Sequence, residues 1–73
     1  MNPSHRKMYE EDGCWIFYGK RMNGEWYFYV SIEYGNRLYF TTWYDYDEVP
    51  HHVTKDELIV HLIMTTLELI GNN

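Results

Sequence analysis

The stretch Trp26-Tyr27-Phe28-Tyr29-Val30-Ser31-Ile32 is apolar or aromatic at six of its seven positions and lies between two turn signals, Asn23-Gly24 and Gly35-Asn36. Aromatic and β-branched residues in a short run bounded by such turns predict a strand. With turns on both sides, it is the expected central strand, and the rest of the chain is read outward from it.

Upstream, Cys14 to Lys20 (Cys-Trp-Ile-Phe-Tyr-Gly-Lys) has the same strand content. Asn-Gly is the strongest short hairpin signal. A two-residue turn at Asn23-Gly24 sets Met22 opposite Glu25, and with it Phe17 opposite Val30 and Trp15 opposite Ile32. Downstream, two-residue and three-residue loops around Tyr34-Gly35-Asn36 give registers one residue apart, which show opposite faces. The three-residue loop is preferred because it sets Glu33 opposite Arg37, a favourable charge pair, and aligns Leu38 and Phe40 with Ile32 and Val30. The next strand then runs from Arg37 to about Tyr44.

These registers sort the side chains into two faces. Trp15, Phe17, Trp26, Phe28, Val30, Ile32, Leu38 and Phe40 form the expected core face. Ile16, Tyr18, Lys20, Tyr27, Tyr29, Ser31, Glu33, Arg37, Tyr39, Thr41 and Trp43 form a second, Tyr-rich face with no partner in the chain.

Residues 45–53 (Asp-Tyr-Asp-Glu-Val-Pro-His-His-Val) have no period and carry a proline, which predicts an acidic loop. Thr54-Lys55-Asp56-Glu57 then fits a capping box that opens a helix. That helix is expected over 54–70, ending at Gly71-Asn72-Asn73. At about 100° per residue, Glu57, His61, Thr65 and Glu68 make a narrow polar stripe. Leu, Ile, Val and Met residues fill most of the remaining circumference, more than one small sheet can cover. The expected class is α+β: a three-stranded antiparallel meander over 14–44 with one C-terminal helix on one face, preceded by a loose arm over 1–12. All of 1–73 reads as a single small domain.

The chain has 73 residues, 45% of them hydrophobic and 19% aromatic, and a net charge of −5. This composition lies far from that of disordered chains. Its acids cluster in Glu10-Glu11-Asp12, Asp45 to Glu48 and Asp56-Glu57. Affinity for nucleic acid or anionic lipid comes mainly from basic residues, so neither is an expected direct partner. A lone cysteine, Cys14, leaves no internal disulfide. Neither a secretory h-region nor a membrane-spanning apolar run is present, and a cytoplasmic location is expected.

No motif assigns catalysis. His51-His52 beside Asp45, Asp47 and Glu48 has the residue types of a metal site but not the ligand spacing, and Asp45 and Asp47 lack the rest of a calcium loop. Cys14 has no histidine beside it, and His61 reads as a helix-surface residue. The expectation is a non-enzyme without cofactor or metal. Aromatics on an antiparallel sheet are similar to the base-stacking faces of RNA-binding sheets, but those combine stacking with a basic groove that is missing here. The element order alone resembles that of chromo-type peptide readers, whose aromatic cages hold methylated lysine.

Tyr and Trp are enriched at protein interfaces. The expected function is therefore an acidic protein-binding module that inhibits or regulates a nucleic-acid-handling protein, with carboxylates standing in for phosphates as a nucleic-acid mimic. Tyr18, Tyr27, Tyr29, Tyr39 and Trp43 would be its anchors, with Asp45, Asp47 and Glu48 its charges. The uncovered apolar surface also predicts a homodimer, formed by either the Tyr-rich sheet face or the surplus helix face. In the alternative readings, the Tyr-rich face is only that dimer interface, or it is the aromatic surface of a single-strand or peptide reader.

Overall fold

A computed structural model describes residues 5–36 and 38–72, and these form four strands, a short 3-10 turn and one long helix. The strands are β1 (Arg6–Glu11), β2 (Cys14–Lys20), β3 (Trp26–Tyr34) and β4 (Leu38–Asp45), followed by a short 3-10 turn (Tyr46–Glu48) and helix α1 (Lys55–Gly71). They form one antiparallel sheet in the order β1-β2-β3-β4. The fold is α+β with a C-terminal helix, as the pattern predicts, but the sheet has four strands and not three.

The additional strand comes from the segment expected to be a loose arm. Asp12 (φ 50°) and Gly13 (φ 79°) both adopt the left-handed conformation, which is what a two-residue type I′ hairpin requires. Glu11 pairs with Cys14 across this turn. A bulge between Lys7 and Tyr9 interrupts the ladder, so the adjacent Met8 and Tyr9 both pack against the core. A bulge of this kind erases the period-2 pattern by which a strand is recognised. Residues 1–4 of the expected arm lie outside the described residues.

The β2–β3 hairpin differs from expectation by one residue. Gly24 has a positive φ of 92°, whereas Asn23 is not among the residues with positive φ, so the pair is not a type I′ turn. Gly24 N–H donates to Arg21 O at 2.8 Å, Arg21 N–H donates to Glu25 O at 2.8 Å, and Asn23 Oδ1 accepts Glu25 N–H at 3.0 Å. This is a three-residue loop closed by Gly24 in the left-handed region. Phe17 consequently pairs with Tyr29, Ile16 with Val30 and Cys14 with Ile32. A one-residue change turns every β2 side chain over. Trp15 and Phe17 therefore leave the expected core face, and Ile16 and Tyr18 join it.

The β3–β4 hairpin also has a three-residue loop, placed one residue later than expected: Tyr34 pairs with Leu38, Ile32 with Phe40 and Glu33 with Tyr39. This displaces the register by two residues, so both strands keep their predicted faces. Arg37, the expected partner of Glu33, lies outside the described residues.

Helix α1 begins as its capping box predicts. Thr54 Oγ1 accepts Glu57 N–H at 3.1 Å, and Glu57 Oε1 accepts Thr54 N–H at 2.9 Å. The core between helix and sheet holds Cys14, Ile16, Phe28, Val30, Ile32, Tyr44, Val49, Ile59 and Leu62. Ile16, Val30 and Leu62 are completely inaccessible to solvent. Trp26 and Leu38 share the core side of the sheet but remain exposed. The expected acidic loop is partly structured: β4 extends through Asp45, whose N–H donates to Glu48 Oε1 at 2.7 Å across the 3-10 turn. Among the described residues, no helix is long and apolar enough to cross a membrane.

Candidate protein-binding surface

The sheet face turned away from α1 is aromatic on three adjacent strands. Its side chains are Trp15 and Phe17 from β2, Tyr27, Tyr29 and Ser31 from β3, and Tyr39, Thr41 and Trp43 from β4, as the ladder registers dictate. Tyr29 and Trp43 are cross-strand partners, and their rings meet edge-on at 4.7 Å. Trp15 reaches Tyr39 at 5.9 Å, and Phe17 reaches Tyr29 at 6.3 Å. Aromatic pairs at such distances hold one another in place. The surface is a fixed array of rings.

Part of this face is occupied from within the chain. The His5 imidazole, just before β1, stacks on Tyr29 at 6.1 Å, meets Tyr27 edge-on at 5.5 Å and lies 6.2 Å from Trp43. The remainder forms a shallow depression of about 490 Å³ lined by Trp15, Phe17, Tyr29, Ser31, Tyr39 and Thr41. Tyr39 in the depression and Trp43, whose ring meets Tyr29 outside it, are exposed, whereas Trp15, Phe17 and Tyr29 are half-buried.

Charged groups fringe the rings. At one end, Arg21 donates to Asp45 Oδ1 at 2.7 Å and its guanidinium lies 5.0 Å from the Tyr27 ring. The Asp45 carboxylate raises the arginine pKa, chiefly by that hydrogen bond. At the β1 side, Glu10 accepts from Lys7 and, at 3.1 Å, from Trp15 Nε1. Those two hydrogen bonds hold its carboxyl below the usual glutamate value. Glu10 thereby orients the Trp15 ring against the edge of the face.

The structure separates the predicted anchors. Tyr29, Tyr39 and Trp43 share the face, as expected. Tyr27 is on it but only 2% exposed, covered by His5, Trp43 and Arg21, and it serves as the floor. Tyr18 lies on the helix side, where it packs against the core and 5.8 Å from Trp26. Of the predicted acids, Asp45 is paired with Arg21 and Glu48 caps the 3-10 turn. Asp45 and Asp47 also line a groove of about 310 Å³ with Glu25, Trp26 and Tyr46. Trp15, Phe17 and His5 are face residues that the sequence reading did not assign. The first two follow from a three-residue loop at Met22-Asn23-Gly24, and His5 carried no periodic signal.

The histidine pair in the loop is occupied locally. The His51 ring stacks on Tyr46 at 4.4 Å, and its Nε2 lies 2.9 Å from Tyr46 O. Among the described residues, no three His, Cys, Asp or Glu side chains converge in a way that could hold a metal ion. Cys14 is buried, and burial pushes its thiol pKa up, away from the thiolate form that acts as a nucleophile. No family model matches the chain, and no curated protein or solved structure matches it significantly.

Proposed function

We propose that the protein is a small, cytoplasmic, non-enzymatic binding module that grips another protein with the aromatic face of its sheet. Its partner is the basic, nucleic-acid-handling type, and binding inhibits or regulates that partner. The observation that carries this reading is the array of Trp15, Phe17, Tyr29 and Tyr39 around an open depression, continued by Trp43 against Tyr29. Rings fixed in this way bury large area at little entropic cost, and Trp and Tyr dominate binding energy at protein interfaces. A contiguous aromatic patch left open is uncommon on a protein without a partner. The net charge of −5 and the acids Glu25, Asp45 and Asp47 beside the groove next to the face favour a basic surface over an acidic one.

The charge part of this reading is tested by measuring partner binding against salt. Affinity should fall as ionic strength rises, and Asp47→Asn or Glu25→Gln should weaken binding while leaving the thermal transition unchanged. Salt-independent binding would remove the mimicry and leave only the aromatic contact.

A further inference from the structure

The two edges of the sheet are unequal. β1 is bent by its bulge and carries Arg6, Lys7, Glu10 and Glu11 among its six residues, the features that keep an edge strand from pairing with another chain. β4 reads Leu-Tyr-Phe-Thr-Thr-Trp-Tyr-Asp, with no proline, no register shift and a charge only at its last residue.

Its outer row of backbone groups can be identified. Glu33 N–H donates to Gly13 O at 2.8 Å, on the β2 side of β3. Alternate residues of an antiparallel strand bond to alternate sides, so Phe28, Val30, Ile32 and Tyr34 bond to β4. Their ladder partners Tyr44, Thr42, Phe40 and Leu38 then face inward. Tyr39, Thr41 and Trp43 therefore direct N–H and C=O outward, and these backbone groups have no partner among the described residues. The row closes at Asp45, whose N–H is taken by Glu48. The 3-10 turn that follows contacts β3.

We infer that β4 pairs with β4 of a second copy, antiparallel about a two-fold axis at Thr41. Only the register with Thr41 opposite Thr41, and Tyr39 opposite Trp43 of the second copy, engages all three open residues of both chains. A shift of two residues either leaves one of them beyond the row or sets it against the capped Asp45. In this register no charge meets a like charge. Tyr39 of one copy joins Trp43 of the other on the aromatic side, and Phe40 meets Thr42 on the helix side. The axis is perpendicular to the sheet, so both helices lie on one side and the two aromatic faces merge on the other. The dimer thus forms edge to edge, leaving the centre of the sheet face and the exposed helix residues Val60, Met64 and Leu67 uncovered. The paired strip spans about 24 Å for seven residues. Its area falls below the roughly 800 Å² per partner of a standard stable interface, so a reversible, concentration-dependent dimer is expected.

Sedimentation of the full chain from low micromolar to several hundred micromolar should show the mass double from 9.0 kDa. Over the same range, the amides of Tyr39, Thr41 and Trp43 should gain protection from exchange. Thr41→Lys and Thr41→Glu, at an exposed position, should each weaken self-association at least tenfold at low salt, and an equimolar mixture should restore a heterodimer, because residue 41 faces itself across the axis. Met64→Glu should leave the dimer intact. The inference is overturned by a monomer at every concentration, by a mixture that does not associate, or by a dimer that Met64→Glu dissociates and Thr41→Lys does not. Self-association is measured on the chain alone, so these outcomes are read without any partner bound to the aromatic face.

Discussion

The hydroxyl of Tyr44 on β4 lies 2.9 Å from Oγ1 of Thr66 on α1, and both residues are buried. Thr66 donates its own proton to Leu62 O at 2.7 Å, so Tyr44 is the donor in the pair. This polar contact joins the helix to the sheet beside a cluster of buried apolar side chains.

Replacing Thr66 by Val leaves the buried tyrosine hydroxyl without an acceptor and should cost about 1–3 kcal/mol. Tyr44→Phe leaves the threonine satisfied by Leu62 and should cost less, about 0.5–1.5 kcal/mol. In urea denaturation the double variant should be less destabilised than the sum of the two. Strict additivity would show that the pair is not coupled.

A second prediction concerns the floor of the aromatic face. A Cβ at position 19 would come within 2.6 Å of the Tyr27 hydroxyl oxygen and 2.8 Å of the carbon that bears it. Gly19→Ala must therefore push the Tyr27 ring outward, at a cost of about 1–3 kcal/mol. For a chain of this size a loss of 1 kcal/mol lowers Tm by roughly 4–8 °C. An unchanged Tm would show that Tyr27 does not lie across Gly19.

Acid stability follows from the helix cap. The hydrogen bonds with Thr54, its backbone N–H first, lower the Glu57 pKa below the usual glutamate value. A carboxyl lowered in the folded state contributes stability above its unfolded value of about 4.3, and this is lost as pH falls through the folded value. Glu10, lowered by Lys7 and Trp15, acts in the same direction. Stability measured from pH 6 down to pH 2 should therefore decline at the acid end. Glu57→Gln should be less stable at pH 6 and show a shallower decline. An identical decline in that variant would remove the cap from the account.

The helix was fully legible in the sequence because Thr54, Glu57 and the apolar period announce its start and course. The alternation of Phe28, Val30 and Ile32 against Tyr27, Tyr29 and Ser31 was legible for the same kind of reason, and it survived a two-residue displacement of the β4 register. Two things were not legible. Asn23-Gly24 serves equally well in a two-residue or a three-residue loop, and the choice turned β2 over, which moved Trp15 and Phe17 onto the candidate surface and Tyr18 off it. The bulge at Met8 hid β1, although Asp12-Gly13 is itself a hairpin signal. Local turn chemistry therefore decided the membership of the surface, whereas hydrophobic pattern decided the fold.

Affinity capture with quantitative comparison of variants asks whether the aromatic face holds a partner. Tyr39→Ala and Trp43→Ala, both at exposed positions, should each lower recovery of the specifically captured protein at least tenfold, while Met64→Ala on the outer side of α1 should not. Capture that is unaffected by Tyr39→Ala and Trp43→Ala but lost with Met64→Ala would contradict the account and move the binding site to the helix.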